Sequence, residues 1–220
     1  DLEVREHQFL RALDRFIEDE SPTLEISPPL EDAYYGNINQ WLPIISVHTN
    51  LSIPVEWIES RRAEKAHNRD SLEQIYRRYA DEGASFEQIV EAEAKGFGKA
   101  ILEHGIRVIN QREGREPIPA ADPFAILWAT TFDRLVFHLR DNKNLSPEDA
   151  ITKAGEFLLS EHAVNTPYVF ISVRLHAALA VLCQGATPRL PSPSDPYDIA
   201  HIATYLPYTD VMTVDRFFSS

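Results

Sequence analysis

The chain has 220 residues, of which 44% are hydrophobic and 25% charged, and its formal net charge is −13. Such a composition suits one large domain, or a small domain with an insertion, built around a real core. It excludes a membrane helix, which needs roughly 18 uninterrupted apolar residues, because the longest apolar run, near 169–182, is broken by Arg174 and His176.

The acidic balance lacks the basic footprint of a non-specific nucleic-acid binder, although acidic residues that hold divalent cations have their charge offset locally. The single cysteine, Cys183, excludes a disulfide framework and a cysteine-rich zinc site, and it fits a reducing cytoplasm. There is no signal peptide and no initiator Met. Asp1 stands directly before a helical pattern over 3–18, so the natural start is expected to precede it.

In chain order, Thr23–Ser27 reads as a short strand stopped by Pro28-Pro29, and Pro43–Val47 as a second strand. A helix is predicted over 71–82. Ser85 and Gln88 make a capping-box pattern that opens a helix over 86–111. Within it, Gly96-Phe97-Gly98 marks a kink; it lacks the Lys-Ser/Thr ending and the preceding strand of a phosphate loop. Residues 111–119, with Gly114 and two prolines, are a loop.

Four times a small polar residue precedes proline: Asp122-Pro123, Ser146-Pro147, Thr166-Pro167 and Asp195-Pro196. The first member can cap a helix, and the proline fits the first helical position, where its missing N–H costs nothing. Helices are therefore predicted over 123–141, 147–160, 167–184 and 196–205, with a proline-rich loop at 185–193. Asp210–Val214, after a turn at Pro207, reads as a last strand. Few strands among many helices predict an α/β fold that is mostly helical by residue count. Residues 56–165 then form a helical insertion within one domain spanning 1–220.

Chemistry concentrates near the C-terminus, where Asp195, Asp198, Asp210 and Asp215 fall within 21 residues. Asp198 lies in the first turn of its helix. Ile202 and Tyr205 follow on the same face, so that face should pack on a sheet with Asp198 at the sheet's edge. Asp215 follows the carboxyl end of the 210–214 strand, the side where open α/β sheets build their sites. Asp210 starts that strand and belongs to the opposite edge.

Those residues resemble the PIN-like domains, a metal-dependent nuclease family. The shared pattern is an Asp opening the last major helix (Asp198) and a short strand ending in Thr-x-Asp (Thr213, Val214, Asp215). Ser194, Asp195, Asp198, His201, Leu206, Pro207, Tyr208 and Asp210 are similar to a bacterial PIN-like pattern, and 166–178 to the helix before it; the match is strongest over 166–218. The resemblance implies a small parallel sheet flanked by helices. It also implies two further carboxylates. Glu31, with Asp32 as the fallback, would open the helix after the second strand, and Asp1 would close a truncated first strand. There the chain reads Asp1-Leu2-Glu3, whereas the family has Asp-Thr-Asn.

The family chemistry is Mg²⁺- or Mn²⁺-dependent endoribonuclease cleavage. Hard cations prefer carboxylate oxygens, and paired ions clamp the attacking and leaving oxygens of a phosphodiester. The implied ligands are Asp198, Asp215 and Glu31, with Asp1 as the fourth catalytic carboxylate. RNA is the implied substrate, and a toxin-type RNase would have a protein antitoxin or regulator as partner.

Blander readings stand beside these. Asp195 and Asp198 together cap a helix and favour its dipole. His201 packs one turn later, or supports the acids. Arg174 makes an ion pair, or contacts a substrate phosphate. Ser194 caps, or holds a water. His7, His48, His67, His104, His138 and His162 show no ligand spacing, and Arg61-Arg62 and Arg77-Arg78 read as solvated faces. Cys183 reads as a small core residue. A non-catalytic binding or regulatory module and a phosphatase acting on small phosphomonoesters are the competing function classes.

Overall fold

Local capping chemistry sets three of the helix starts among the described residues, at Ser85, Thr130 and Ser146. The structure, a computed structural model, describes residues 2–25, 55–118, 129–184, 188–210 and 212. Among these the helices are α1 (Leu2–Ile17), α2 (Val55–Asp81), α3 (Phe86–Arg112), α4 (Thr131–Lys143), α5 (Pro147–Leu158), α6 (Glu161–Val164), α7 (Pro167–Cys183) and α8 (Asp195–Tyr205). A 3-10 turn, Leu206–Tyr208, follows α8. No described helix is long and apolar enough to cross a membrane.

At the start of α3 the capping box is complete. The Ser85 N–H donates to Gln88 Oε1 at 2.8 Å, and the Gln88 N–H donates to Ser85 Oγ at 3.3 Å. Ser146 Oγ accepts the Asp149 N–H at 3.1 Å, with Pro147 opening α5. A further box, at Thr130, opens α4. Thr130 Oγ1 accepts the Asp133 N–H at 3.1 Å, while Asp133 Oδ2 accepts the Thr130 N–H at 2.7 Å. The predicted start at Asp122-Pro123 lies outside the described residues. Thr130→Ala should cost about 1 kcal/mol, read as a lower urea midpoint with unchanged native helicity.

For α2 only 71–82 was legible, yet the helix begins at Val55. Its described side chains up to Asp70 are exposed or half-buried, so no apolar face advertises that half; burial begins with Tyr76 and Tyr79.

The α/β expectation is overturned. The described residues are 76% helix and contain no strand, so a parallel sheet flanked by helices is not this architecture. Thr23, Leu24 and Glu25 form no ladder; instead the Glu25 carboxylate pairs with Arg11 and lies 4.0 Å from Arg15, tying this stretch to α1. Asp210 and Met212 are also outside any strand, and Pro43–Val47 lies outside the described residues. A short apolar run carries no period that separates a strand from other buried backbone, which is why composition alone misled here.

The chain divides into two compact units. One takes Leu2–Ile26 and Ala92–Phe170. In it α1 packs against α4, α5 and α6, burying Phe9, Ala12 and Leu13 of α1 with Phe132, Leu135, Leu139, Ala150, Ala154 and Phe157. The Phe16 and Phe157 rings meet at a tilt, with centroids 5.9 Å apart. α3 runs unbroken through Gly96-Phe97-Gly98, and Gly98 lies against the Leu158 carbonyl, so this glycine serves close packing. The other unit takes Ser27–Glu91 and Ile171–Ser220 together with Asp1. Its core joins Tyr76 and Tyr79 of α2, Ile89 of α3, Ala177, Leu179 and Ala180 of α7, and Ile199 of α8.

Candidate carboxylate site

The C-terminal acids take different roles on α8. Asp195 opens the helix and is 1% exposed. Its carboxylate does not cap α8; it turns back to the preceding segment. Both of its oxygens accept from Arg189, each at 2.8 Å, and Oδ2 also accepts the Ser192 N–H at 2.7 Å. This is a bidentate, charge-assisted clamp. Arg189 is itself anchored: its N–H donates to Leu182 O at 3.3 Å, and its carbonyl accepts from the Cys183 thiol. Burial pushes that thiol up, away from thiolate reactivity.

Burial alone would raise the Asp195 carboxyl, but the Arg189 and Ser192 hydrogen bonds outweigh it and hold the group below the ordinary carboxylate range. Asp14 follows the same logic. Burial raises it, whereas His138 at 2.8 Å and Lys143 at 2.9 Å bring it down. A depressed folded value stabilises the fold fully above the unfolded value of about 3.9, and that contribution fades as pH falls toward the folded value. Urea midpoints should therefore drop between about pH 5 and pH 2, and Asp195→Asn should flatten this acid limb.

Asp198 is placed otherwise. It sits in the first turn of α8, half-buried, with its N–H bonded to Ser194 O at 3.0 Å. No described residue holds its carboxylate. Of the expected face, Ile202 is buried but Tyr205 only half-buried; the buried side of α8 is Ile199, Ile202 and Ala203, and Ile199 packs among α2, α3 and α7 and not on a sheet. His201 is exposed and its ring lies 4.9 Å from that of Tyr205. Ser194 is exposed, with its Oγ 2.8 Å from Ser192 Oγ, and Asp210 is exposed beyond the 3-10 turn. Arg174 is half-buried on α7, and burial lowers its guanidinium's affinity for the proton.

Glu31, Asp32, Asp215 and Asp1 lie outside the described residues. Among those described, no group of three or more His, Cys, Asp or Glu is assembled to hold a metal ion.

No protein-family model, curated protein or solved structure matches the chain.

Some of the remaining polar candidates are engaged in structure, whereas His67 and His104 are exposed. His138 bonds Asp14 Oδ1, and His162 bonds the Glu20 carbonyl at 2.8 Å. Arg77 pairs with Glu73 one turn away, Arg78 lies over the Tyr79 ring at 5.6 Å, and Arg62 is exposed. The residue that sequence reasoning missed is Arg189. It lies in a proline-rich stretch with no helical spacing to Asp195, so only the folded loop reveals the pair.

Proposed function

We propose that this chain is a Mg²⁺- or Mn²⁺-dependent endoribonuclease in which Asp198 is a catalytic carboxylate. The observation that carries the reading is the contrast on α8. Asp195 is engaged in an ion pair with Arg189, whereas Asp198, one turn along, is half-buried and held by no described residue. The resemblance of residues 194–215 to the PIN-like nucleases supplies the reaction class, and Glu31, Asp215 and Asp1 complete the proposed set.

The described donor set is one carboxylate. That is the lower bound for a Mg²⁺ ion that keeps most of its waters and completes its shell with substrate phosphate oxygens. Such an ion, when bound, acidifies a coordinated water and offsets phosphate charge; the protein's part is a fixed carboxylate oxygen. Asp198→Asn and Asp215→Asn should each abolish divalent-ion-dependent cleavage of labelled RNA with unchanged helicity. Cleavage by both variants at the wild-type rate would remove the reading.

The net charge of −13 favours a second reading, a non-catalytic binding or regulatory module, because such a surface repels the phosphate backbone. Calorimetric titration with Mn²⁺ separates the two. Binding of about one or two ions supports the enzyme, and a heat-silent titration supports the module. A protein antitoxin or regulator is the partner class that accompanies the nuclease reading.

A further inference from the structure

We draw no further inference here: the strongest candidate, the cavity of about 230 Å³ that Tyr76, Ala80, Cys183, Pro188, Leu190 and Pro191 line beside α2, brings a lone thiol to an apolar surface, and nothing in the structure shows what covers it.

Discussion

Gly98→Ala should destabilise the protein by about 3 kcal/mol or more, the upper end of what an overpacked core costs. A Cβ at this position would overlap the Leu158 carbonyl oxygen and lie 2.9 Å from its carbon. Both are backbone atoms at the end of α5, so no rotamer change can relieve the clash. α3 would have to move off α5, and the packing around Leu158, which is 2% exposed, would open with it. Gly96, two residues earlier on the same helix, gives the contrast. It is exposed, and nothing lies within 4 Å of the point an alanine methyl would occupy. There alanine gains helix propensity, and Gly96→Ala should stabilise by about 0.5–1 kcal/mol. Urea unfolding followed by circular dichroism reads both, and the thermal midpoints should separate by about 2–4 °C per kcal/mol. A Gly98→Ala variant with the wild-type midpoint would mean that α3 and α5 do not meet at this residue.

This pair also shows where sequence reading stops. Gly96 and Gly98 look alike in the chain, and only the neighbour across the interface separates a tolerant position from a closed one. Two helix starts were legible because their signal is local: Ser85 with Gln88 and Ser146-Pro147 each satisfy orphan N–H groups within a few residues, whereas at Thr166-Pro167 the Tyr168 N–H donates to the distant Gln8 Oε1 at 2.8 Å. The first half of α2 was not legible, since it carries no apolar stripe among its described side chains. The strand readings found no support at Thr23–Glu25, Asp210 or Met212 because strand identity depends on a partner that the described residues do not supply there. At the candidate site, four clustered acids were visible, but their division of labour was not. Whether a carboxylate is engaged by a guanidinium is settled by the path of the 188–194 segment, which brings Arg189 to Asp195 and leaves Asp198 outside the clamp.

Arg189→Met should cost about 3 kcal/mol, by leaving the Asp195 carboxylate buried without its counter-ion. The lower end of the usual range of about 3–5 kcal/mol applies, because 29% of the Arg189 side chain remains exposed and solvent already screens the pair. Asp195 has little such relief: its side chain is 2% exposed, and after the substitution it keeps the hydrogen bonds from Ser192 but no counter-ion. Pairing Arg189→Met with Asp195→Asn removes the stranded charge while keeping an oxygen for Ser192, so the double variant should recover a large part of the loss. A double-mutant cycle should then give a coupling of about 2 kcal/mol, within the span found for residues in direct contact. The acid dependence gives an independent reading of the same pair. With Arg189 gone, the interaction that outweighs burial is lost, and stability should decline less steeply below about pH 5 than in the parent chain. Additive losses in the cycle, with an unaltered acid limb, would show that the clamp does not carry the energy assigned to it and that α8 is held in place by its buried Ile199 face instead.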